Sequence, residues 1–142
     1  MADPLNGSCF CGAVEIEARG APIERLLPLQ ILSILFRRAP VSAYILWKAE
    51  NVTVSKGAEF LGRFKKTEIS DRQFFTKCGG HIMTYHPTFG LTDVRPAVIP
   101  TVAFKPVLHL HYADTVLPMK DGLPKLKDFP AKAGGSGEVI SE

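Results

Sequence analysis

Residues Asn6–Ala13 read NGSCFCGA, and the chain's third and last cysteine lies far downstream in FTKCGG, Phe75–Gly80. The first of these stretches precedes a segment with strand character, and the second lies between two. After the first comes AVEIEARG, in which Val14 and Ile16 alternate with Glu15 and Glu17, the period of a half-buried strand. Around the second, DRQFFTKCGGHIMTYH reads as two strands turning at Gly79-Gly80. Working outward, VSAYILW (Val41–Trp47) and NVTVSKG (Asn51–Gly57) read as strands about a turn at Lys48–Glu50. EFLGRFKKTEI alternates loosely, and PAVIPTVAF and VLHLHYAD supply the last expected strands. The sum is a mainly antiparallel β domain.

Composition agrees. The chain has 142 residues, enough for one domain with a real core, and its 12 glycines and 11 prolines are too many for a helical bundle. A single domain over residues 1–133 is expected, with GGSGEVISE (134–142) as a loose tail. The formal charge of +3 comes without a basic stripe interleaved with aromatics, which argues against a nucleic-acid partner. The start, MADPLNGS, lacks the charged and apolar regions of a secretory signal, and three cysteines form no disulfide framework. The best membrane candidate, Leu26–Phe36, is too short to span and contains Pro28. A cytoplasmic protein is expected.

By spacing alone, Cys9, Cys11 and Cys78 read either as small buried hydrophobes or as ligands of one zinc ion, which takes soft thiolates tetrahedrally. The wider pattern adds weight to the second reading. GSCFCGAVEIEARG, then YILWKAENVTVSKGAEFLGRF, then RQFFTKCGGHIMTYH, with HLHYAD and MKDGLPKLKDFP late in the chain, resembles the glutathione-dependent formaldehyde-activating enzyme family, which includes centromere protein V. The resemblance implies a β-tent-like fold with zinc-knuckle turns and a structural zinc on Cys9, Cys11 and Cys78. It also implies a carbon–sulfur lyase acting on adducts of a small thiol with an aldehyde, such as S-hydroxymethylglutathione. Where the family's C-x-x-C pattern has its first thiol, this chain has Phe75, which cannot ligate. The structural site is therefore expected to be weakened; water or His81 could complete it, although His81 reads first as a capping or surface residue.

Relatives also carry C-H-C-x-x-C followed by Arg, which holds the catalytic zinc. Here that place is taken by LLPLQILS, Leu26–Ser33, an apolar run without alternation inside RLLPLQILSILFRR. One set of codons for this octapeptide, read one base later, spells Tyr-Cys-His-Cys-Arg-Ser-Cys. The segment thus reads either as a frame-shifted stretch or as an ordinary buried helix or core strand in a diverged relative. As written, the catalytic zinc motif is missing. A non-catalytic β-scaffold binding module with at most a structural zinc is the competing class.

The remaining candidates carry less. His109 and His111, two apart in an expected strand, would share a face and line a substrate or serve structure; His109 also matches the resemblance. His86 reads as a turn residue. Asp114 and Asp121 read as solvated turn carboxylates, and Arg37-Arg38 and Lys65-Lys66 as surface charge. No P-loop, dinucleotide fingerprint or nucleophile elbow is present.

Overall fold

A computed structural model describes residues 3–28 and 42–141. They form a mainly β protein whose helical pieces, among the described residues, are single 3-10 turns of three residues. The chain divides into two compact units, residues 1–24 with 45–104, and residues 25–44 with 105–142.

The first unit contains a three-stranded antiparallel sheet in the order β1 (Leu5–Ser8), β2 (Glu15–Ala18), β5 (Val52–Lys56). Gly7 pairs with Ile16, and Ile16 with Val54. Ile16 and Ala18 are buried while Glu15 and Glu17 are half-exposed, as the alternation requires. The unit's second sheet runs β4 (Tyr44–Lys48), β9 (Leu91–Val94), β8 (His81–His86), β7 (Ser70–Phe75), β6 (Leu61–Thr67), with every neighbour antiparallel. Ile45 lies opposite Val94, Val94 opposite Met83, and Met83 opposite Gln73. Val14, Ile16, Ile45, Trp47, Ile82, Val94 and Ile99 are fully buried in one core drawn from both sheets. The Trp47 indole donates to the Gly20 carbonyl at 3.4 Å, so the largest core side chain leaves no polar atom unpaired.

In the second unit, β3 (Glu24–Pro28) runs parallel to β10 (Leu108–Leu110), with Leu26 opposite Leu108 and Leu27 opposite His109. Leu26, Leu27, Leu110, Tyr112 and Leu126 are buried. The terminal segment, read above as loose, carries backbone bonds here: Ile140 N–H donates to the Lys125 carbonyl at 2.8 Å and Lys127 N–H to the Glu138 carbonyl at 2.8 Å.

Two sequence expectations are corrected. PAVIPTVAF forms no strand: Pro96–Val98 is a 3-10 turn, and Pro96 and Pro100 bring no backbone N–H to a ladder. VLHLHYAD is a strand only through Leu110. His111 then turns into the left-handed region (φ 53°) and a 3-10 turn follows at Tyr112–Asp114. Of the anomalous apolar run, Arg25–Pro28 belongs to β3; the rest of the frame-shift reading, residues 29–38, lies outside the described residues.

Candidate metal centre

Two hairpin turns of the first unit carry the three thiols. Between β1 and β2, Cys9 N–H donates to the Val14 carbonyl and Gly12 N–H to the Cys9 carbonyl, both at 3.0 Å. Between β7 and β8, Phe75 N–H donates to the Gly80 carbonyl at 2.9 Å and Gly79 N–H to the Phe75 carbonyl at 2.8 Å. In both turns a glycine directly follows a cysteine and takes positive φ, 72° at Gly12 and 70° at Gly79, which a side chain would strain. Apart from each glycine and its two chain neighbours, no heavy atom of the described residues lies within 4 Å of where a Cβ would stand. The turns therefore bend tightly, with open space beside their glycines.

The Sγ atoms of Cys9, Cys11 and Cys78 all lie within 4.8 Å of one another, with Cys9 and Cys11 at 3.4 Å. Sulfurs at the corners of a zinc tetrahedron with bonds of about 2.3 Å stand about 3.8 Å apart, so the observed spacing brackets that value. Three soft donors in this arrangement suit zinc. Cys9 is 3% exposed and anchored in the core, whereas Cys11 and Cys78 are exposed. Burial pushes the Cys9 thiol up, but hydrogen bonding from the Val14 amide, the Cys11 thiol and the Ala13 and Cys11 amides more than reverses this, leaving it at about 7. The Val14 amide approaches its sulfur at 3.4 Å. For Cys11, the Ala13 amide pulls downward, but Cys9, burial and Cys78 together push the thiol above its ordinary value. Lys56 donates to Glu15 at 2.7 Å; that carboxylate, with a smaller contribution from Cys9, raises the Lys56 pKa.

The described residues supply no fourth Cys, His, Asp or Glu to this cluster. Phe75 is 2% exposed, and its ring carbons come within 3.4 Å of where a Gly80 Cβ would stand, a point 3.9 Å from Cys78 Sγ. It packs beside the cluster as core. His81 does not join the thiols: its Nε2 lies 3.2 Å from Thr84 Oγ1, and burial, then the Arg95 charge, lowers its pKa to about 4.

The second unit holds a polar cluster only half visible in the sequence. His109 is 0% exposed, and its Nε2 donates to Asp121 Oδ2 at 2.7 Å. Lys125, 1% exposed, donates to Asp121 Oδ1 at 2.9 Å and to the Leu123 carbonyl at 3.0 Å. Burial would raise the Asp121 carboxyl, but His109, Lys125 and the Leu123 amide hold it well below the usual carboxylate range. Asp121 itself is exposed, as expected of a turn carboxylate, but it also bonds two buried side chains, which the sequence did not announce. His111 shares no strand face with His109; its ring meets Phe129 edge-on at 4.4 Å. Lys125 was missed, although the Asp121–Lys125 spacing of four in DGLPK was its available signal. His86 does sit before the turn at Pro87–Phe89, but it also reaches Asp93 at 3.0 Å.

These features define a class: a β scaffold on which two hairpin turns assemble a three-cysteine cluster able to hold a metal ion. The chain belongs to the glutathione-dependent formaldehyde-activating enzyme family, whose sequence pattern matches residues 4–114. A crystal structure of a Rhodobacter sphaeroides protein has a similar fold, with a TM-score of 0.56 and 22% identity over 69% of this chain and 90% of that one. Comparison with curated proteins gave no match. Among the described residues, no helix is long and apolar enough to cross a membrane.

Proposed function

We propose that the protein holds one zinc ion on Cys9, Cys11 and Cys78 and acts, in the manner of a carbon–sulfur lyase, on adducts of a small thiol with an aldehyde, S-hydroxymethylglutathione being the type. The observation carrying this reading is the convergence of three cysteines from two hairpins within 4.8 Å on a chain of this family. Zinc bound by thiolates supplies a Lewis acid that stabilises a bound thiolate or polarises a hydroxyl. The chain's own residues do the rest. The Val14 amide orients Cys9 and offsets its charge, the core fixes its position, and Cys11 and Cys78 face solvent, where a small adduct can reach them. Three free thiols suit a reducing compartment, and the cytoplasm is the proposed location.

Zinc content of the purified chain, with NMR exchange of formaldehyde and glutathione, tests the reading. One zinc per chain with accelerated exchange supports it, and no zinc refutes it. One zinc without acceleration selects a second reading, a non-catalytic β-scaffold binding module with a structural zinc. That reading is favoured by the absence of any thiol from Leu26–Ser33 as written.

A further inference from the structure

We infer that a metal ion on Cys9, Cys11 and Cys78 keeps its fourth position open to solvent, so that this cluster itself receives the sulfur of an incoming small thiol. The inference rests on the proposed reading that the cluster holds zinc, and it deepens that reading by assigning the thiol-docking point. A closed structural zinc site has four protein donors; three protein donors leave one position for water or substrate. The described residues offer these three thiols and no further Cys, His, Asp or Glu. Of the residues outside the described ones, 1–2 and 29–41 contain none of those four types, which leaves Glu142 alone. Phe75, whose thiol counterpart would close the site, is instead an apolar core residue beside Cys78.

Access follows from the same turns. Cys11 and Cys78 are exposed, Phe10 between the paired cysteines is fully exposed, and beyond their chain neighbours nothing lies within 4 Å of a Cβ position at Gly12 or Gly79. An incoming thiol R–SH would release its proton to solvent, its sulfur would bond the metal, and the water held there would leave. No electrons are transferred.

Cobalt(II) tests this on the full purified chain, freed of metal and kept reduced by a phosphine. Its sulfur-to-metal charge-transfer bands count thiolates without reference to activity. The expected result is one cobalt per chain with a three-sulfur spectrum. Reduced glutathione should then raise charge-transfer intensity by about one third, as three sulfur ligands become four. S-methylglutathione, with no free thiol, should change nothing. In Phe75→Cys the four-sulfur spectrum should be present from the start and glutathione should shift it no further. Cobalt binding with a spectrum that ignores glutathione would overturn the inference and leave the zinc reading standing. So would a four-sulfur spectrum before any thiol is added, as when two chains share one ion. Failure to bind cobalt or zinc at all would remove both.

Discussion

Replacing Phe75 by cysteine sets two opposed terms against each other at one position. The side chain is 2% exposed and packs in the core cluster with Cys9, Ile82 and Val94. Truncating a buried phenylalanine costs about 3–5 kcal/mol, and cysteine, which keeps one heavy atom beyond Cβ, belongs at the lower end, about 3 kcal/mol. That cost is fully expressed without metal. With zinc in excess, the new thiolate closes the site, and each tenfold gain in affinity returns about 1.4 kcal/mol to the folded state. Recovery of parental stability therefore needs an affinity gain on the order of a hundredfold. The assay is urea unfolding of the parent, Phe75→Cys and Phe75→Ala, each with zinc and with a chelator. Both variants should lose about 3 kcal/mol or more under chelation. Only Phe75→Cys should regain most of it with zinc. If zinc rescues the two variants equally, or neither, residue 75 does not stand at a ligand position and the reasoning fails.

Other outcomes follow from particular residues. Cys78→Ser should lower zinc content from one per chain toward zero while leaving far-UV circular dichroism β-rich in excess zinc-free buffer; retained stoichiometry would show that Cys78 is not a ligand. His81, whose pKa is about 4 in the folded chain, should reach its ordinary value near 6.5 on unfolding. Between those values the unfolded chain binds the extra proton, so the neutral His81 contributes stability above about pH 6.5 that is lost as pH falls toward 4. His81→Gln should flatten that part of the urea-midpoint profile. The depressed Asp121 carboxyl has the corresponding effect lower down: its contribution is present above the ordinary carboxylate pKa of about 3.9 and is lost as pH falls below it. Asp121→Asn should weaken the chain most at neutral pH and least in acid, and a pH-independent loss would contradict the ion-pair assignment. The nucleotide sequence across Arg25–Arg38 decides the frame-shift reading: read one base later it must encode the cysteine-rich motif, and a shifted frame without those cysteines ends it.

What could be read from the sequence was local. Val14 and Ile16 announced β2 through alternation, and Gly79-Gly80 marked the turn between β7 and β8. The cysteines were legible as a group because thiols are few and their neighbouring glycines mark tight turns. What escaped notice depends on distant pairing. The run from Arg25 reads equally as a buried helix or a core strand; Glu24–Pro28 becomes a strand through its parallel pairing with Leu108–Leu110, a partner that no alternation in the run reveals. Leu91–Val94 is short, and its place between β4 and β8 supplies the ladder that makes it a strand. PAVIPTVAF misled because its apolar residues imitate a strand while its prolines deny the ladder its donors. Lys125 reads as surface charge until its buried ammonium is seen to bond the Asp121 carboxylate and the Leu123 carbonyl within the second unit.

Zinc K-edge absorption of the loaded chain, in buffer free of small thiols, tests the central claim most directly. Three sulfur neighbours at about 2.3 Å with one lighter atom completing the shell are the result expected. A shell of nitrogen and oxygen alone, or one with fewer than three sulfurs, would contradict the account.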